Sequence, residues 1–232
     1  MSTSSRKTRK GKAKNKCKGK TERIKRIRDI LVRFFSGDNA VYVPRIKDPF
    51  KTLIATVISA RTKDEVTEIA SKRLFKKYPT PEKLAKANPK EVAKLIYPAG
   101  FYKTKAPRLV EIARIITNEY NGKVPNTLDA LMALPGVGRK TANIVLVYGF
   151  GIPAIPVDTH VHRISNRIGL VKTKTPHETE KELEKIVPKR IWFDINWTFV
   201  RLGQTICKPI GPKCEICPIV KLCDYGRERL RS

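Results

Sequence analysis

Residues 134–138, Leu134-Pro135-Gly136-Val137-Gly138, form the tightest punctuation in the chain. Pro135 fixes φ and sets a turn. Gly136 and Gly138 admit positive φ and, lacking Cβ, let another backbone come close. Thr127 to Ala133 reads as a short helix leading in, and Arg139-Lys140-Thr141-Ala142-Asn143 with the apolar run Ile144 to Val147 opens a second helix. Two helices around a glycine turn make a helix-hairpin-helix. Amides at the second helix start point outward with the positive end of the dipole behind them, a seat for a phosphate. Lys140, on the first turn, places an amine beside that seat. The same residues also read as a glycine-rich helix start with a solvated lysine, and G-x-G alone does not choose between the two.

Charge says which kind of phosphate is expected. The 232 residues carry 49 Lys and Arg against 21 acids, a net charge of +28. An excess of that size favours a polyanion, nucleic acid first, so Gly136, Val137, Gly138 and Arg139 become candidate DNA contacts. Residues 1–20 hold nine Lys or Arg and no acid. That composition predicts a disordered tail acting as a salt-sensitive tether to DNA, with Cys17 an idle thiol within it. No run of about 18 apolar residues exists, so no membrane helix is expected. The N-terminus lacks the apolar stretch of a secretory signal. The expected location is the cytoplasm, associated with the nucleoid. Gln204 is the one glutamine against those 49 cations, a bias that points to a thermophile.

From Glu22 the apolar residues Ile24, Ile27, Ile30, Leu31, Phe34 and Phe35 recur at helical spacing, and Gly37 ends that helix. Residues 41–48 read as a loop. Pro49 opens an apolar helix that stops at Ser59-Ala60-Arg61-Thr62. Lys63 to Tyr78 and Lys103 to Tyr120 are amphipathic helices, with Pro79, Pro81, Pro89 and Pro98 punctuating short ones between them. Asp158 precedes a helix to about Ile168, and Pro176 to Val187 and Ile191 to Cys207 follow. Trp192 and Trp197 read as core. No stretch alternates as a strand would, so the fold class is all-α.

Cys207, Cys214, Cys217 and Cys223 are spaced C-x6-C-x2-C-x5-C. Four thiols in so short a span signal a metal site, and zinc and a [4Fe–4S] cluster both accept four cysteines. Spacing leaves the two open. Lys208 and Lys213 put positive charge on the loop between the first two ligands, a further candidate DNA contact.

Together, Leu134 to Asn143, Val157-Asp158-Thr159-His160, the cysteine spacing, Ser59-Ala60 with Asp64, and Gly100-Phe101-Tyr102 followed by Lys105-Ala106 resemble the endonuclease III family, in the helix-hairpin-helix DNA glycosylase superfamily. The resemblance spans roughly residues 22–225. It implies a six-helix domain over about 41–152 and an iron–sulfur domain built from residues 21–40 and 153–232, with DNA in the cleft between them. It also implies that the metal is [4Fe–4S]. Ser59, Asp64, Thr141 and His160 would line the substrate pocket. Two positions depart from the family pattern. Arg61 stands where a glutamine commonly fills the hole left by a flipped base, and Phe101 where a leucine commonly wedges into the stack. Both can still fill or wedge, against alternatives of a surface Arg on phosphate and a core Phe.

The implied activity is base excision: a bifunctional DNA glycosylase and abasic-site lyase acting, as a monomer, on duplex DNA that contains damaged pyrimidines or abasic sites. Lys140 is expected to attack C1′ as the free amine. Asp158 is expected to stabilise the positive charge that builds there, besides capping its helix. His160 and His162 read first as helix residues near the phosphate backbone. The alternatives are a monofunctional mismatch glycosylase, which needs no amine at 140, and a helix-hairpin-helix module without catalysis.

Overall fold

The computed structural model describes residues 4–36 and 48–231, with backbone alone over 4–18. Among the described residues there is no strand, and the chain divides into two compact units, residues 1–43 with 157–232 and residues 44–156. The sequence expectation set these limits a few residues earlier, at 41 and 152.

Unit two (44–156) begins with α2 (Pro49–Ser59), α3 (Asp64–Lys77), α4 (Pro81–Ala85) and α5 (Pro89–Ile96). It continues with α6 (Tyr102–Glu119), α7 (Leu128–Met132) and α8 (Arg139–Ile144). The starts are written locally. Asp48, Thr80 and Asn88 each accept a first-turn amide, and a proline follows each at the first helical position. Leu53, Ile54 and Ile58 of α2, Leu74 of α3, and Leu109, Ile112 and Ile116 of α6 are fully buried in one core. Each such side chain contributes about 1.5–3 kcal/mol, which is why a helix containing Pro107 still forms along the whole of α6. The helix expected after the hairpin changes character: α8 passes into a π-helical stretch, Val145–Phe150, closed by Gly151.

Unit one joins distant parts of the chain. It contains α1 (Ser4–Phe35), α9 (Thr159–Ile168), α10 (Pro176–Ile186), α11 (Trp192–Thr205) and α12 (Asp224–Arg229). Ile24, Ile27 and Leu31 of α1 are fully buried, whereas Phe34 is half exposed. Polar ties fix α1 where apolar area is limited. The Thr21 hydroxyl donates to Ile186 O at 2.9 Å, Arg23 Nε to Leu222 O at 2.9 Å, and Arg28 Nε to Asp194 Oδ2 at 2.7 Å. Trp192 is buried and donates Nε1 to Val187 O at 2.8 Å; Trp197 is only half-buried, so it does not join the core as expected.

Where a disordered tail over residues 1–20 was expected, the structure has α1 running from Ser4, and residues 1–3 lie outside the described residues. Lys, Arg and Ala all favour helix, and no proline interrupts residues 4–35. Once residues from Lys20 onward are docked, that propensity carries the helix back toward the N-terminus. Gly37 and the loop at 41–47 lie outside the described residues, as does the Cys17 side chain.

Candidate active site

The hairpin is held by apolar residues before and between its glycines. Leu134 and Val137 are buried at 2% and 5% exposure and anchor the turn in the core of unit two, while Gly136 and Gly138 face outward. Val137 N donates to Leu134 O at 3.1 Å to close the turn. Gly136 sits at φ 74°, and a Cβ there would collide with the Arg108 side chain. Gly138 differs from expectation. Its φ is −86°, open to any residue, and a Cβ there would meet nothing within 4 Å. The fold itself does not require glycine at 138; the space it leaves lies outside the protein. Val137, named as a DNA contact, can offer only its backbone, because its side chain is core.

Gly138 is the residue before α8, so Arg139 and Lys140 occupy its first two positions, with Arg139 half-buried and Lys140 exposed. Thr141, half-buried, follows.

Asp158 caps α9 in unit one. Its Oδ1 accepts from both His160 N and Val161 N at 2.9 Å. Both cap bonds land on one oxygen, so the carboxylate can hold its helix and still present Oδ2. His160 Nδ1 lies 3.1 Å from Arg163 Nη2, and its ring packs against Gly203. Because a guanidinium can only donate, Nδ1 accepts, and His160 holds a structural position within unit one. His162 Nδ1 is 2.6 Å from the Thr179 hydroxyl.

A second feature of unit two joins α2 to α6. Arg61, just past α2, has φ 53°, and Phe101, the residue before α6, has φ 58° and ψ 30°. The left-handed region costs a non-glycine residue about 1–3 kcal/mol. The Phe101 ring is 60% exposed, which removes the core alternative, and the Arg61 guanidinium lies 5.4 Å from its centroid. Two strained, exposed side chains are thus stacked on each other. Ser59 is half-buried and donates its hydroxyl to Thr56 O at 2.8 Å, and Asp64 is exposed at the start of α3, where a negative charge suits the helix dipole.

The four cysteines line one small cavity of about 20 Å³ in unit one, together with Ile164, Arg167 and Tyr225. Among the described residues no group of three or more His, Cys, Asp or Glu is arranged as a cage for a metal ion. What the four thiols share is the lining of that small cavity. Burial pushes the thiols of Cys214 and Cys223 up and that of Cys217 to about 11, and the neighbouring cysteines add to each rise. Four thiolates here therefore need a cationic group among them. Donors to sulfur are already placed: Arg167 Nη1 to Cys207 Sγ and Gly226 N to Cys223 Sγ, both at 3.3 Å. The residues fit an iron–sulfur group.

Arg163 and Arg167 were missed by sequence reasoning. Arg163 donates to Cys207 O at 2.8 Å. Arg167 donates to Lys208 O at 2.7 Å and Pro209 O at 2.8 Å, and stacks 4.7 Å from the Tyr225 ring. They shape the loop whose exposed Lys208, Ile210 and Lys213 face solvent. Their one signal was the four-residue spacing of two arginines on the helix that Asp158 caps.

Residues 54–189 match the HhH-GPD superfamily of base excision DNA repair proteins. Endonuclease III of Thermotoga maritima is 56% identical over 182 residues, covering 78% of this chain and 85% of that protein. A trapped endonuclease III–DNA covalent intermediate, an estranged-adenine complex, superposes with TM-score 0.80 at 38% identity, over 91% of this chain and 99% of that one. A thermostable thymine-DNA glycosylase also reaches TM-score 0.80, at 30% identity, over 89% of this chain and 98% of that one. The family match over residues 54–189 and the identity to the Thermotoga protein show that this chain belongs to the endonuclease III family, the DNA glycosylase/lyases of base excision repair.

Proposed function

We propose that this protein excises damaged pyrimidines from duplex DNA and then cuts the strand 3′ to the abasic site, through a Schiff base on Lys140. The observation that carries this reading is the amine on the first turn of α8, directly behind an outward-facing glycine hairpin. A phosphate at the hairpin amides would hold a deoxyribose near that amine.

In this scheme Phe101 wedges into the stack and Arg61 fills the gap left by the flipped nucleotide; the exposed, stacked pair supports it. As the base leaves, positive charge develops at C1′, and the Asp158 carboxylate stabilises it. Lys140 Nζ bonds to C1′ as the glycosidic bond breaks, and the base departs with a proton. The C1′–O4′ bond then breaks, O4′ taking a proton from solvent, to give a protonated Schiff base. That cation acidifies C2′–H, and removal of its proton expels the 3′ phosphate by β-elimination. Ser59, Asp64 and Thr141 are proposed to line the pocket for the flipped base.

Cys207, Cys214, Cys217 and Cys223 would hold a [4Fe–4S] cluster, supported by the four-cysteine cavity and its donors to sulfur. Its role is to tie the C-terminal turns together. Lys208 and Lys213 on the adjacent loop would meet DNA phosphates. Among the described residues no helix is long and apolar enough to cross a membrane; the proposed place of work is the cytoplasm at the nucleoid, as a monomer.

Borohydride trapping tests the reading. Wild-type protein should become covalently fixed to DNA bearing thymine glycol or an abasic site. Lys140→Gln should bind, fail to trap and fail to nick. The chain superposes equally well on an endonuclease III and on a thymine-DNA glycosylase, so the fold does not choose between the bifunctional reading and the monofunctional alternative. Efficient base release by wild-type protein without any trapping would select that alternative and return Lys140 to phosphate binding.

A further inference from the structure

Lys105 is 95% buried, an unusual place for an ammonium, and neither the phosphate seat nor the proposed excision chemistry uses it. Its Nζ donates to Ile58 O and Ala60 O at 2.5 Å and to the Thr62 hydroxyl at 3.0 Å. Three donors meet three acceptors, so the ammonium is fully satisfied. All three acceptors belong to the end of α2 and the turn after it, on either side of Arg61. The Lys105 backbone N donates to Phe101 O at 2.9 Å. One residue thus grips the peptide flanks of Arg61 with its side chain and the carbonyl of Phe101 with its backbone.

The surrounding contacts complete a closed frame. Gly100 N donates to the same Thr62 hydroxyl at 3.0 Å, and a Cβ at Gly100 would collide with the Arg61 carbonyl oxygen. The two segments therefore approach as closely as backbone permits, at the one place among the described residues where two left-handed residues stack. Strained conformations persist where the surroundings over-determine them, and the ammonium is the hub of those surroundings. It also sits at the C-terminal end of α2, where a positive charge is favoured. Burial lowers its pKa, while three oxygen acceptors favour the charged form.

We propose that Lys105 is the positioning residue that holds Arg61 and Phe101 stacked in their left-handed conformations, so that the DNA-opening pair is formed before duplex arrives. This rests on the reading of Arg61 and Phe101 as gap-filler and wedge. Non-glycine residues reach that backbone region only a few per cent of the time when not forced. Loss of the frame should therefore lower the competent fraction about tenfold or more.

The test uses full-length protein and thymine glycol in two settings, a fully paired duplex and the same sequence with the lesion in an unpaired bubble. Single-turnover excision is measured for wild type, Lys105→Met, Lys105→Gln, Thr62→Val, Arg61→Ala, Phe101→Ala, the Arg61→Ala, Phe101→Ala double variant and that double variant with Lys105→Met. Lys105→Met should slow excision about tenfold or more from the duplex and under about threefold from the bubble. Lys105→Gln, which keeps two donors, should recover part of the loss. In an Arg61→Ala, Phe101→Ala background the Lys105→Met penalty on duplex should vanish, because its effect passes through those two side chains. Thr62→Val, in the turn after α2, removes the acceptor shared by Lys105 Nζ and Gly100 N while leaving the Lys105 bonds to Ile58 O and Ala60 O, and should show a smaller duplex-selective loss, which keeps the test open if Lys105→Met does not fold. Equal slowing on both substrates, or a penalty that survives in the double background, overturns the proposal. If Arg61→Ala and Phe101→Ala slow both substrates alike, the wedge reading itself has failed. If they are duplex-selective and neither Lys105→Met nor Thr62→Val is, the wedge reading stands and the role of Lys105 falls.

Discussion

Asp158 is proposed to do two things at once, and its geometry allows them to be separated. Oδ1 takes both cap bonds, from His160 N and Val161 N at 2.9 Å. Asparagine at this position keeps an oxygen where Oδ1 stands and replaces Oδ2 with an NH2. As caps, Asn and Asp are nearly equal, so Asp158→Asn should change stability by no more than a few tenths of a kcal/mol. Alanine removes the cap, which costs about 1 kcal/mol, with a range of about 0.5–2. For a chain of this size that lowers Tm by about 2–4 °C. Catalysis should divide the variants differently. Both remove the negative charge at C1′, and loss of one preorganised electrostatic partner costs on the order of 10²–10³ in rate. The expected pattern is thus asymmetric: Tm falls for Ala and hardly for Asn, while single-turnover excision falls for both to similar extents. Thermal unfolding and quenched-flow base release, on the same preparations, read the two axes. If Asp158→Asn excises at the wild-type rate, the residue is a helix cap alone. If it is slow only in proportion to lost stability, the charge argument also fails.

Cys217→Ala should lose iron and helical signal in the C-terminal segment together, while native protein prepared anaerobically should contain four irons and four labile sulfides; stoichiometric zinc instead would reject the cluster. Deletion of residues 1–18, stopping short of the residues that dock α1, should weaken binding to damaged and undamaged duplex alike. Its log–log salt slope should fall by about 0.9 for each cation that had met a phosphate, and a loss confined to damaged DNA would show that the segment reads the lesion. The Tyr78 hydroxyl donates to Glu91 Oε2 at 2.5 Å, and this bond, with burial second, pushes its pKa up to about 12. The raised folded value means that the bond's contribution to stability is full below the ordinary tyrosine value of about 10 and is lost as pH rises through about 12. Tyrosinate absorbance, taken as the difference between wild type and Tyr78→Phe, should show this late titration, and Glu91→Gln should bring it back toward the ordinary value.

Much of this protein is written over short stretches of sequence. Asp48, Thr80, Asn88, Thr127 and Asp158 each bond an amide two or three residues ahead, so the helix starts follow from neighbours alone. The positive φ of Gly136 is equally local. The cysteine spacing pointed to a metal site and left its metal open, and only the family resemblance reads it as iron–sulfur. Composition, which averages over residues 1–20, predicted a tail where the helix propensity of the same lysines gives α1 from Ser4.

Tertiary structure decided what local pattern cannot encode. Val137 and Gly138 are adjacent, yet only packing determines that one faces the core and the other open space. Lys105 reads as one more cation among 49, and its burial is set by carbonyls 45 and 47 residues away in sequence. Arg167 likewise finds Cys207 across 40 residues. Phe101 read as a wedge with a core position as the alternative, and its exposure and stacking on Arg61 remove only the core alternative. The physical reason is the same in each case. A cap or a turn is satisfied within one hydrogen-bond length of its own chain, whereas a buried charge or a strained backbone is tolerable only when groups from elsewhere in the fold surround it, and those groups meet only when the chain has folded.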